Sequence, residues 1–122
     1  MNYKITLFFA LILAFFIETN AQTIQQFKAK EGLTFANTES KKSSTNPKLR
    51  SIASLAGNYG GLDLTFDINK GVSSIWVYVY QDGTNKDSII VVPVLKVPLF
   101  SYVNAKTLIS NLPITEFLKF LP

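Results

Sequence analysis

Residues 74–95 read SIWVYVYQDGTNKDSIIVVPVL, and the reading of this stretch decides the fold. With a period of two, Ile75, Val77 and Val79 fall on one side of a strand and Trp76, Tyr78 and Tyr80 on the other. The polar run QDGTNKD then makes a loop, and SIIVVPVLKVPLF continues as the next strand. Both strands are apolar on two faces, so each face needs a cover. Pro93 and Pro98 lack a backbone N–H, which predicts that the second strand lies at a sheet edge or is broken there.

Upstream, LDLTFDIN (62–69) alternates Leu62, Leu64, Phe66 and Ile68 with Asp63, Thr65, Asp67 and Asn69. That pattern predicts a half-buried antiparallel strand with one wet face. Asn69, Lys70 and Gly71 supply turn chemistry, with Gly71 free to take a positive φ. Downstream, NAKTLISNLPITEFLKFLP offers Asn104 as the N-cap of a helix that runs to Asn111 and stops before Pro113, with a second short turn from Thr115. The expected fold is therefore α+β: a small three-stranded antiparallel β-meander over about 62–100 with C-terminal helical segments, preceded by a flexible linker. The C-terminal helix is the first candidate to cover the aromatic row, and the N-terminal arm is the second.

The linker is read from TESKKSSTNPKLRS, which is polar, serine-rich and poor in large apolar groups. Six basic residues between Lys28 and Arg50 face only Glu31 and Glu39, whereas charges balance from Ser51 onward. The formal charge of +4 thus belongs to the linker. Ahead of it, Ile24 and Phe27 are spaced for one helical turn that Gly32 would end, or for an extended arm.

MNYKITLFFALILAFFIETNAQ has the layout of a secretory signal peptide, with Lys4 before an apolar run from Ile5 to Ile17 and small residues at Thr19 and Ala21. The run is shorter than the roughly 18 residues expected of a bilayer span. Cleavage after Ala21 is expected, without a stable membrane anchor afterwards and with secretion to the periplasm or beyond. The chain has no cysteine, which excludes both a disulfide framework and a lipid-modified cysteine at the junction. Four segments follow: 1–21 signal peptide, 22–37 N-terminal arm, 38–50 basic linker and 51–122 small β-rich domain.

Histidine is absent as well. Imidazole and thiolate metal ligands, and Ser-His or Cys-His nucleophile pairs, are thereby removed. Asp63 and Asp67 on one strand would stand roughly 13 Å apart by strand rise, beyond the about 5–9.5 Å of a glycosidase pair. GNYGGL lacks the G-K-[ST] of a phosphate loop, and DGTNKD lacks the ligand spacing of a calcium loop. No aromatic residues interleave the basic stretch to stack on bases, so no nucleic acid is expected as a partner.

These exclusions leave a non-enzymatic, secreted binding or interaction module without cofactor or metal. The candidate ligand-binding residues are Trp76, Tyr78 and Tyr80, either as a platform for a glycan or protein partner or as core beneath a helix. The alternative is a structural or assembly subunit, oligomeric, whose apolar sheet face another chain completes.

Overall fold

The computed structural model describes residues 24–59, 61–97 and 101–111. Its centre is the pair read from residues 74–95. Strand β7 (Ile75–Gln81) runs antiparallel to β8 (Ile89–Val97), with Ile75 opposite Leu95 and Gln81 opposite Ile89. The loop between them closes through the Asp82 amide donating to the Ser88 carbonyl at 3.0 Å. Its tip is held by the Asp82 carboxylate, which accepts from the Thr84 amide at 2.9 Å.

On one side of β7 lies β2 (Lys48–Ser54), and two short strands share the far side of β8. Of these, β10 (Leu108–Ser110) pairs with Ile89 to Val91, and β9 (Ser101–Asn104) pairs with Val94 to Val97. Pro93 falls where the partner changes from one to the other. A proline inside a central strand removes a ladder donor. Here its carbonyl accepts from the Ala105 amide at 2.9 Å, in the connection between β9 and β10. The expectation of an edge or broken strand at Pro93 is therefore overturned: β8 runs unbroken through Pro93 as an interior strand, and the break falls in its neighbour instead. Pro98 lies outside the described residues.

The N-terminal part folds over this sheet. Strand β1 (Phe27–Lys28) leads directly into α1 (Ala29–Lys41), the one helix among the described residues. Glu31 accepts from the Lys28 amide at 3.4 Å and so occupies one orphan donor of the first turn. Two small sheets complete the chain: β3 (Gly57–Tyr59) with β4 (Leu62–Leu64), and β5 (Phe66–Asp67) with β6 (Val72–Ser73), whose other neighbour is β1. Gly71 takes φ +66°, as its place in the turn required.

Both faces of the central pair are buried. Ile75, Val77, Val79, Ile89, Val91 and Leu95 form one cluster with Leu55 and Leu64. Tyr78, Tyr80, Ile90, Val92 and Val94 form the other, against Phe27 and Ala36. The all-apolar composition of β7 and β8 is the expected mark of strands covered on two sides.

The α+β meander with C-terminal helices is overturned, in three places. First, 62–69 is not one strand. It breaks at Thr65, whose amide donates to the Ser74 hydroxyl at 3.0 Å, so β4 pairs with β3 and β5 with β6. Phe66 and Ile68 consequently end 40% and 79% exposed, although their alternation with Leu62 and Leu64 predicted burial. Second, residues 104–111 are the end of β9 and all of β10 instead of a helix. The Asn104 amide group donates to Glu39 Oε1 at 3.0 Å and Thr107 Oγ1 at 2.6 Å, so the side chain ties a turn to α1 instead of capping a helix. The turn expected from Thr115 lies outside the described residues. Third, the flexible linker is structured: 38–41 are the last turn of α1, and 48–50 open β2. Gly32 sits inside α1 and does not end it.

Candidate functional site

The three predicted binding residues do come together, but beneath α1. Tyr78 is 0% and Tyr80 2% exposed, and Trp76 is half-buried. Their polar tips are spent on the N-terminal segment. Trp76 Nε1 donates to the Phe27 carbonyl at 2.6 Å, the Tyr78 hydroxyl to the Ala29 carbonyl at 2.6 Å, and the Tyr80 hydroxyl to Asn37 Oδ1 at 2.6 Å. One bond reaches β1, one the start of α1 and one its third turn. The row is an interior clamp that fixes where the helix lies; Tyr78 is wholly covered, and Tyr80 reaches the surface only as part of the lining of a groove. Burial pushes the Tyr80 phenol up to about 12. Burial raises Tyr78 further, helped by its neighbours Tyr80 and Tyr102 and by Glu31.

Gly32 permits the close packing. A Cβ at that position would lie 2.7 Å from the Tyr78 oxygen and 2.8 Å from a ring carbon of Phe27. The helix therefore rests on the tyrosine row through a missing side chain.

What stays open is set by widths. A helix with its side chains is about 10–12 Å across, whereas four strands at about 4.8 Å spacing present a wider face. Packed on β7 and β8 and reaching β9 through Phe35 against Tyr102 and Glu39 against Asn104, α1 leaves β2 and β10 less covered on that face. Directly opposed residues of an antiparallel pair share a face. Leu49, opposite Tyr80, and Ile52, opposite Tyr78, thus belong to the helix side of β2, and each is 37% exposed. Ile109, opposite Ile90 on the far margin, is 55% exposed.

At the β2 margin the gap becomes a groove of about 260 Å³. Leu33, Asn37 and Lys41 form its helix wall, and Pro47, Leu49 and Tyr80 its strand wall and floor. The opposite face of the same strand has a different character. Lys48 lies opposite Gln81, and Arg50 Nε donates to Gln81 Oε1 at 2.9 Å. With Asp82, Gly83 and Lys86 these residues line a second hollow of about 190 Å³. Asp82 is already engaged by Ser44 Oγ at 2.9 Å and by the Thr84 amide, and these hydrogen bonds keep its carboxyl below the usual range.

Strand β2 itself joins the two hollows. Among the described residues it pairs with β7 only and forms the end of the sheet. A register shift between Leu49 and Ser51 inserts Arg50 as an extra residue. This bulge brings Leu49 and Ile52 to one face although they are three apart in sequence. It also hid the strand from a period-two reading, and the only sequence signal was the apolar pair itself. No cluster of three or more histidine, cysteine, aspartate or glutamate side chains occurs among the described residues. No protein family matches the chain, and neither a curated protein nor a solved structure does.

Proposed function

We propose that this protein is an exported, non-enzymatic binding module that takes an extended segment of a partner protein along the open edge of β2. The observation that carries the reading is the edge itself: a strand that, among the described residues, is paired on one side only and is flanked by an apolar groove against a helix. An added strand gains main-chain hydrogen bonds from such an edge, and alternate side chains find pockets beside it. Leu49 and Ile52 offer apolar contact on the groove side. The lack of histidine and cysteine argues against catalysis, and the N-terminal apolar run argues for export. Among the described residues no helix is long and apolar enough to cross a membrane.

Panning a random-peptide display library on the folded chain, followed by amide hydrogen exchange, tests this reading. The selected peptides slow exchange in residues 48–54 and leave the β3–β4 hairpin unchanged. Slow exchange of every β2 amide in the free protein would mean that the edge is already paired, and would refute it.

A second reading, an assembly subunit, draws on Phe66 and Ile68. They form an exposed apolar pair on the β5–β6 hairpin, and Trp76 meets the Phe66 ring edge-on at 6.1 Å. Because β7 and β8 are covered on both faces within the chain, this hairpin, which carries the most exposed large apolar side chain among the described residues (Ile68), is the surface this reading assigns to another copy. A concentration-dependent oligomer that dissociates on Phe66→Ser with Ile68→Ser would favour it over the peptide reading.

A further inference from the structure

We infer that the segment bound on β2 alternates apolar and acidic residues; this inference rests on the peptide-binding reading and specifies its ligand. A strand has a side-chain period of two, so a segment added beside β2 must present successive residues to opposite faces of the sheet. The two faces differ in chemistry. On the helix side the added residues meet Leu49, Ile52 and the groove wall at Leu33 and Pro47. On the other side they meet Lys48, Arg50 and Lys86.

Three cations, Lys48, Arg50 and Lys86, face one carboxylate, Asp82, around the second hollow, which leaves it net positive. Strand β2 contains Lys48 and Arg50 and no acidic residue. Lys41 adds a further cation at the mouth of the groove. Asp82 accepts hydrogen bonds from the Thr84 amide and the Ser44 hydroxyl, which keep it ionised, so it offsets one of the three cations of the second hollow. Lys48 and Lys86 take part in none of the ion pairs among the described residues, and Arg50 bonds only the neutral Gln81 side chain. Acidic side chains from the occupant complete this face, and the attraction also steers the approach.

The same charge argues against a second copy as occupant. Edge lysines and bulges are the devices by which proteins keep sheet edges from pairing with their own kind. Two β2 strands laid side by side would bring two pairs of cations together with no anion between them. An acidic segment turns that repulsion into attraction, so the edge discriminates by charge against itself and in favour of the partner.

Three capped hexapeptides separate the claims: alternating valine and glutamate, alternating valine and lysine, and alternating serine and glutamate. Binding is followed by fluorescence anisotropy and by hydrogen exchange in residues 48–54. The valine–glutamate peptide binds, protects β2 and weakens as salt rises. The valine–lysine peptide binds at least about tenfold more weakly, as expected when a few exposed charge pairs change from attraction to repulsion. Lys48→Glu with Arg50→Glu reverses that order. Lys86→Glu, in the loop and outside the strand, lowers affinity for the glutamate peptide even should the strand variant misfold.

Equal binding of the valine–glutamate and valine–lysine peptides, with β2 protected, overturns the acidic preference and leaves the edge reading standing. Binding of both glutamate peptides without protection of β2 overturns the edge reading as well, since charge would then act with no strand added. No binding by any of the three overturns the alternating-segment inference, and the library selection then judges the edge independently.

Discussion

Replacing Gly32 by alanine tests the packing of α1 on the tyrosine row most directly, because local propensity and tertiary contact predict opposite signs. In a helix interior alanine is favoured over glycine by about 1 kcal/mol. In this structure the new methyl carbon would sit 2.7 Å from the Tyr78 oxygen and 2.8 Å from the Phe27 ring. Carbon contacts are comfortable at about 3.5–4.0 Å, so one neighbour has to withdraw by roughly 1 Å. Tyr78 has little freedom to do so, being paired on both sides within β7 and bonded to the Ala29 carbonyl at 2.6 Å. Overpacking of this kind costs about 1–3 kcal/mol, and loss of the tyrosine bond leaves a buried polar group unsatisfied at about 1–3 kcal/mol more. Set against the propensity gain, the net loss is about 1–5 kcal/mol, with a centre near 3. At roughly 4–8 °C per kcal/mol for a domain of this size, the melting temperature falls by about 10–25 °C. Urea and thermal unfolding followed by near-ultraviolet circular dichroism measure it. In the double variant with Tyr78→Phe, which lacks the closest atom, the two losses add to less than their sum by about 1 kcal/mol. A Gly32→Ala protein that melts at or above wild type would refute the close approach and with it the placement of the helix.

Alkaline pH is expected to unfold the protein early. Tyrosine in an unfolded chain ionises near about 10, whereas Tyr80 in the folded protein does so near about 12 and Tyr78 later still. The folded state keeps these protons longer, so their contribution is complete below about pH 10 and is lost as pH rises toward 12, at up to about 1.4 kcal/mol per pH unit for each group; tyrosinate absorbance should rise together with loss of structure. Gly83→Ala would drive a Cβ into the Asn46 backbone carbonyl, and should destabilise by about 1–3 kcal/mol in a urea titration while moving the loop that carries Lys86. Limited trypsin digestion should cut after Lys41 or Lys42, at the end of α1, before Lys48 or Arg50 within β2; a folded fragment beginning near Ser51 should not persist, because it would lack the helix that covers Tyr78 and Tyr80. Rapid cleavage within β2 leaving a stable fragment would contradict that strand.

The parts legible in the amino-acid sequence are those whose signal is local. Residues 75–81 and 89–97 carry a period-two pattern strong enough to place Ile75, Val77 and Val79 on one face and the aromatic row on the other, and both faces are where the pattern put them. The Gly71 turn and the 82–88 loop are equally local, since both rest on backbone geometry and short polar side chains. Absence of histidine and cysteine is also plain from composition.

Tertiary structure decided the rest, for reasons that can be named residue by residue. A bulge at Arg50 spaces Leu49 and Ile52 like a helix pair, so β2 exists only because β7 offers it a ladder. Gly32 reads locally as a helix stop and becomes a contact only once Tyr78 lies beneath it. Phe66 and Ile68 continue the alternation of Leu62 and Leu64, but Ser74 captures Thr65 and sends the next residues to a different partner. Asn104 reads as a cap and instead reaches Glu39, 65 residues away, a bond that no window of sequence contains. The edge of β2, unpaired among the described residues, belongs to this second group. Its two faces acquire their chemistry from Leu33 and Lys41 on α1, Gln81 on β7 and Lys86 in the loop, which the fold gathers around one strand.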